Sequence, residues 1–222
     1  MPNIYTAIIG GVDQLSDAPS LANHNFHCYT DSPLQAKNYA FFPQEVGPDK
    51  WLESRKFKIL AHHYNQEPSL WIDGRVELSQ KVLEFIDENL QHDFSVFRHP
   101  YSKSIEEEAE RCLKMGILKN SQLINQQLNK YREQGFQYPD LMAGGIILRR
   151  NTEQTKAINT LWWQELNEFP TRDEISLPYV LWKLGVKVNV IEMDIFDNPY
   201  FKFNARRMGD DFVSILHPNR IY

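Results

Sequence analysis

Cysteine is nearly missing from this chain, with two in 222 residues. Cys28 and Cys112 stand far apart, each in an apolar pattern. That excludes a disulfide-built scaffold and zinc-binding spacing, and it fits buried thiols in a reducing compartment. Long basic runs are missing too, and 24 Lys and Arg against 29 Asp and Glu leave a formal charge of −5. A general nucleic-acid binder, which carries a basic stripe, is not expected. No apolar run approaches the roughly 20 residues that cross a bilayer, so no transmembrane segment is expected. Met1-Pro2-Asn3-Ile4-Tyr5 enters an apolar run at once, which predicts no signal peptide and a cytoplasmic protein. Repeats, low-complexity tracts, a linker and the Gly-x-Gly-x-x-Gly fingerprint are all lacking, so residues 1–222 read as a single domain.

Aromatics are plentiful at 13%, enough to line a pocket for a flat or sugar-like ligand as well as to fill a core. Apolar runs alternate with helical patterns. Strands are expected at Ile4 to Ile9, Asn25 to Thr30, Leu70 to Ile72 with Asp73 where the strand runs out, Phe94 to Phe97, Leu141 to Leu148 and Lys187 to Ile191. Helices are expected from Trp51 to His63, from Ser79 onward, from Ser104 to about Met115, and from about Ser121 to Gln134. Two more should cover Thr155 to Phe169 and Pro178 to Leu184. Ser104 and Glu107 have capping-box spacing. Gln35 to Gly47 reads as an irregular loop, and the tail from Asn198 has no clear period. The alternation implies an α/β sandwich with a mostly parallel central sheet.

The most informative stretch is Ser69 to Leu78, an apolar run broken by Asp73-Gly74-Arg75. In open α/β sheets ligands collect at the carboxyl ends of strands, so Asp73 is either a chemical group or a turn aspartate. Gly10-Gly11, after the first strand, would let a ligand approach the backbone or simply make a turn. Asp31, after the second, would hold a ribose or base edge or begin a turn. Arg55, Lys56 and Lys58 precede His62-His63; this stretch is a solvated basic face or a diphosphate neutraliser, and it contributes Lys56 and His63 as binding candidates. His99 follows a strand and is a structural or an acid/base histidine. Asp173-Glu174 opens a helix, which either serves the helix dipole or presents a carboxylate to a hydroxyl.

In order, these segments resemble nucleotide-sugar glycosyltransferases of the GT-A type. Tyr5-Thr6-Ala7-Ile8-Ile9-Gly10-Gly11 looks like the nucleotide-binding opening, and Cys28-Tyr29-Thr30-Asp31 like the second strand. Asp73-Gly74-Arg75 sits where that fold carries Asp-x-Asp, and Met142-Ala143-Gly144-Gly145 where it lines the donor sugar. More closely, the chain resembles the TOD1/MUCI70 glycosyltransferase-like family. The strings that carry the match are Trp71-Ile72-Asp73-Gly74, then His99-Pro100 with Ser104-Ile105-Glu106-Glu107-Glu108-Ala109, then Arg172-Asp173-Glu174-Ile175-Ser176 with Tyr179-Val180-Leu181-Trp182-Lys183.

The resemblance implies a GT-A-like α/β/α sandwich, a nucleotide-sugar donor and a glycan or glycoconjugate acceptor in polysaccharide or glycoconjugate synthesis. Thr6, Ile8, Gly10 and Asp31 would face the nucleotide, Gly144 and Gly145 the donor sugar. Asp73 would orient the donor or hold Mn²⁺ or Mg²⁺, and Arg75 or Lys56 would offset the diphosphate. Asp173 or Glu174 would meet the acceptor hydroxyl and act as general base if the reaction inverts configuration, which makes them, with Asp73, the catalytic candidates; His63 and His99 are further binding candidates. Two departures stand out: Arg75 replaces the second acid, and Met142 the usual asparagine. His217 would be the stand-in for a late metal-binding histidine. A non-catalytic nucleotide- or glycan-binding module is the alternative, and a nucleotidyltransferase, which needs paired acids for two metals, ranks third.

Overall fold

Eighteen elements are seen in the computed structural model, which describes residues 2–11, 13–22, 24, 26–204, 206–208 and 211–213. The strands are β1 (Asn3–Ile8), β2 (Phe26–Thr30), β3 (Tyr39–Pro43), β4 (Ser69–Ile72), β5 (Val76–Leu78), β6 (Phe94–Arg98), β7 (Met142–Arg149), β8 (Asn189–Ile191), β9 (Phe201–Phe203), β10 (Arg206–Met208) and β11 (Asp211–Val213). The helices are α1 (Lys50–Ile59), α2 (Ala61–Tyr64), α3 (Val82–Asn89), α4 (Ile105–Lys114), α5 (Ser121–Glu133), α6 (Glu153–Glu168) and α7 (Asp173–Leu184).

Seven strands form the central sheet in the order β3-β2-β1-β4-β7-β6-β8. All its pairings are parallel except those of β7, which runs against both β4 and β6. Side-chain alternation splits the core between two faces. Tyr5, Ala7 and Ile9 point to the face covered by α1 and α4–α7, where Phe57, Ile59, Trp162 and Leu181 are buried. Ile4, Phe26, Leu70 and Ile72 point to the other, covered by α3 and the β5–β9 pair. This is the α/β sandwich with a mostly parallel central sheet expected from the sequence. None of the described helices is long and apolar enough to cross a membrane.

Several expectations change in detail. The loop expected at Gln35 to Gly47 contains β3, which pairs in parallel with β2 at the sheet edge. The helix expected through His63 breaks at Leu60, whose ψ of 43° leaves the helical region. The buried Arg149 takes the freed carbonyls there, donating from Nη2 to the Lys58 oxygen at 2.7 Å. Helix α7 opens at Asp173, as the Asp173-Glu174 pair indicates, and runs unbroken into the stretch expected from Pro178 to Leu184, so that it carries Pro178 internally. The aperiodic tail supplies β9, which pairs with β5. Ser104 caps α4 as its spacing indicates, accepting from Glu107 N at 3.2 Å.

Two features prepare the site. Strands β1, β2 and β4 run parallel, so their carboxyl ends lie on one edge. On that edge β7 loses register with β6, Val96 facing Ile147 but Phe97 facing Ala143, so that Gly144 and Gly145 bulge out of the ladder.

Candidate functional site

A cleft with two lobes, about 280 and about 400 Å³, opens at this edge, and both lobes are bordered by Trp51, Arg55 and Asp73. The smaller reaches Ile8, Asp13, Lys50 and Trp71; the larger reaches Arg75, Arg111, Gly144, Gly145, Arg172 and Glu174.

Asp73 is the hinge between the lobes because β4 ends there. Its N–H donates to the Gly145 carbonyl at 2.8 Å, and its carbonyl accepts from Val76 N at 2.9 Å, closing a turn through Gly74. Gly74 is required by packing, since a Cβ would lie 2.9 Å from Ile8 Cγ1. The carboxylate accepts from Trp71 Nε1 at 3.0 Å and remains partly exposed to the cleft. Arg75 stacks its guanidinium over Phe203, 5.1 Å from the ring centroid.

Asp173 and Glu174, adjacent in sequence, fall into opposite environments. Asp173 has no exposed side-chain surface and pairs with Lys58 and, at 3.4 Å, with Arg55. Burial alone would raise its carboxyl, but Lys58, Arg55 and Arg172 outweigh it and hold it well below the usual range. Sealed beneath Gly144, it does not border the cleft, so the expected contact of Asp173 with an acceptor hydroxyl has no geometric basis. Glu174 does border it. Burial pushes its carboxyl up, Arg172 pulls it down, and the neighbouring Asp173 adds to the rise. Arg172 Nη2 lies 3.0 Å from Glu174 Oε2 without hydrogen-bonding alignment, so this buried oxygen lacks a hydrogen-bond donor.

The far wall is organised by Glu108, which is fully buried. Arg111 grips it with two hydrogen bonds of 2.8 Å, and Ser102 Oγ and Cys112 Sγ donate at 2.8 and 3.0 Å. Burial would raise this carboxyl, but Arg111, His99 and the other donors bring it down to about 2. His99 Nδ1 accepts from Ser102 N at 3.0 Å, which leaves the ring proton on Nε2, 3.4 Å from Glu108. Burial lowers the His99 pKa to about 4, against the pull of Glu108. His99 is therefore a neutral pillar bordering the cleft.

The sign of its pH effect follows. Between pH 6.5 and about 4 the unfolded chain holds more protons at this residue than the folded one. Its contribution, on the order of 3 kcal/mol, is complete above pH 6.5 and disappears as pH falls toward 4. Urea midpoints measured across that window are expected to fall with acidification, and His99→Gln is expected to flatten the slope there.

Other expected residues lie elsewhere. Ile8 borders the smaller lobe, but Thr6 is fully buried and its hydroxyl has no hydrogen-bond partner. Asp31 is occupied by Gly10 N at 2.9 Å and Lys50 Nζ at 2.7 Å. Lys56 lies 4.0 Å from Glu53 on the outer side of α1, and His63 is exposed on α2; neither borders the cleft.

The side chains around Asp73 do not suit a divalent cation. Among the described residues no group of three or more His, Cys, Asp and Glu could hold one, and the ammonium of Lys58 lies 3.9 Å from Asp73 Oδ1. His217 lies outside the described residues.

A family model for the TOD1/MUCI70 glycosyltransferase-like domain matches residues 50–208, which contain Asp73, the Gly144-Gly145 bulge and Glu174. The chain belongs to this family. Among curated Arabidopsis thaliana proteins it is similar to "Probable hexosyltransferase MUCI70", 30% identical over 60% of this chain and 25% of that protein. It is also similar to "Alkaline ceramidase TOD1", 25% identical over 63% of this chain and 34% of that protein. The chain thus spans only a quarter to a third of these relatives. Among solved structures it is similar to mouse xyloside xylosyltransferase 1 in the apo form, at 9% identity and a TM-score of 0.48, over 86% of this chain and 84% of that one.

In this TOD1/MUCI70 domain, sequence reasoning missed Lys58, Glu108 and Arg111 as organisers of the site. Glu108 lies within Ser104 to Ala109, and its helical spacing with Ile105 and Cys112 on one buried face was the available signal.

Proposed function

We propose that this domain transfers a glycosyl group from a nucleotide-diphosphate sugar to a hydroxyl of a glycan or glycoconjugate, in polysaccharide or glycoconjugate synthesis. The observation that carries this reading is the charge of the larger lobe. In a chain of net charge −5 it is bordered by four guanidinium groups, Arg55, Arg75, Arg111 and Arg172, and two carboxylates, Asp73 and Glu174, while Glu108 and Asp173, the acids paired with Arg111 and Arg55, are buried behind its wall. Such a lobe favours a diphosphate over a neutral lipid amide, so the hexosyltransferase-named relative is the better guide.

In this reading the nucleotide lies in the smaller lobe against Trp51 and Ile8, and Asp73 accepts hydrogen bonds from the donor's hydroxyls. The bond between the anomeric carbon and the diphosphate breaks, and the nucleoside diphosphate leaves with the electron pair. Arg55 and Arg75 offset its charge. The acceptor oxygen bonds the anomeric carbon, and its proton passes to Glu174, whose raised pKa suits a base. The Asp73 side chain, which belongs to no described group of three or more metal-ligating residues, supplies orientation.

A thermal-shift panel of nucleotide-sugars tests donor binding, because a ligand of the folded state raises its melting temperature. At least one donor is expected to raise it by several degrees, and Asp73→Asn to cut its turnover by about 10²-fold with the fold intact. Turnover at the wild-type rate in Asp73→Asn would end the assignment. Binding without any turnover would mark a non-catalytic module.

A further inference from the structure

Behind Asp73 lies an ammonium group in a compartment made for it. Lys58 is 2% exposed; its Nζ pairs with Asp173 and lies 3.9 Å from Asp73 Oδ1. Three elements build that position. From β7, Gly144 leaves the space open: a Cβ there would lie 2.5 Å from Lys58 Nζ and 3.1 Å from Asp173 Oδ2. Arg149, also from β7, holds the Lys58 carbonyl at 2.7 Å and so fixes the last turn of α1. From α1 itself, Arg55 takes the other oxygen of Asp173 at 3.4 Å.

We infer that Lys58 is a positioning residue that stands where a divalent cation would: its ammonium orients the Asp73 carboxylate toward the cleft and keeps Mn²⁺ and Mg²⁺ from it. Glycosyl transfer at this site is then independent of divalent metal, a consequence that rests on the reading given above. The electrostatics support the exchange. A charge buried beside two carboxylates is screened little by solvent, so a metal entering at Asp73 meets a fixed like charge at short range. Lysine cannot leave the site as a hydrated ion does, so the orientation of Asp73 does not depend on metal supply.

The test is a Mn²⁺ titration followed by electron paramagnetic resonance, without nucleotide, on the wild type, Asp73→Asn, Lys58→Met and Lys58→Met/Asp73→Asn. Wild type and Asp73→Asn are expected to give the same curve. Lys58→Met, which keeps the stem volume but removes the charge, is expected to bind Mn²⁺ roughly tenfold tighter, and the added Asp73→Asn to abolish the gain. A wild-type site that Asp73→Asn removes would overturn the inference, as would a folded Lys58→Met that binds no more than the wild type. Should Lys58→Met not fold, the comparison of wild type with Asp73→Asn decides alone.

Where turnover is measurable, the wild-type rate is expected to be unchanged by EDTA; a rate lost to EDTA and restored by Mn²⁺ would overturn metal independence. The metal titration needs no turnover. Its failure refutes the role of Lys58, whereas failure of every donor to bind refutes the transferase reading.

Discussion

Glu174→Gln is expected to reduce turnover by about 10²- to 10⁴-fold while leaving the melting temperature within a few degrees of wild type. Glutamine keeps the shape of the side chain and a partner for Arg172 but cannot take a proton. The pH profile gives the sharper signature. A base works only when deprotonated, so the wild-type rate should rise with pH through the pKa of Glu174, which burial places above that of an ordinary glutamate. In the variant that acid limb should vanish. An unchanged limb would reassign the base, and a proportionate loss of stability would reduce Glu174 to a structural partner of Arg172.

The second large effect concerns stability. Asp173→Ala leaves Lys58 buried without its close counter-ion, and removal of one member of a buried pair costs about 3–5 kcal/mol. The double variant Lys58→Met/Asp173→Leu removes both charges and should recover most of that loss, because apolar side chains of similar volume often replace a buried pair at little cost. Urea midpoints at pH 7 check both. The pH dependence carries a fixed sign. Asp173 has a depressed folded pKa, so its contribution is present above the ordinary aspartate range and is lost as acid protonates the folded carboxyl. An Asp173→Ala protein as stable as the wild type would show that the pair contributes nothing net.

The sequence makes some parts of this molecule readable and hides others for physical reasons. Strand β4 and its terminal Asp73 are readable because an apolar run ends in Asp-Gly-Arg. The Gly144-Gly145 pair is readable because a buried strand rarely carries two glycines without a close approach. Edge strand β3 is not: its residues alternate between partly buried and exposed, and it ends at Pro43, so its pattern resembles a loop. Lys58 is hidden more deeply. On α1 it belongs to a run with Arg55 and Lys56 that reads as a solvated basic face, and Lys56 is indeed on the outside. Only the missing Cβ of Gly144 and the carboxylate of Asp173, 115 residues away, turn Lys58 inward. The roles of Asp173 and Glu174 are likewise indistinguishable in sequence, because helix phase alone decides which of them faces the cleft.

The Arg149 clasp on the end of α1 has a consequence for the order of folding. Arg149 reaches Lys58 across 91 residues, and Lys58 reaches Asp173 across 115. Loops of that length close late, after local helices and hairpins have formed. Until β7 and α7 dock, α1 lacks the donor for its last carbonyls and Lys58 lacks its acid. The charged centre should therefore be among the last parts of the chain to gain protection from amide hydrogen exchange during refolding, and N-terminal fragments that stop before residue 173 should not form it.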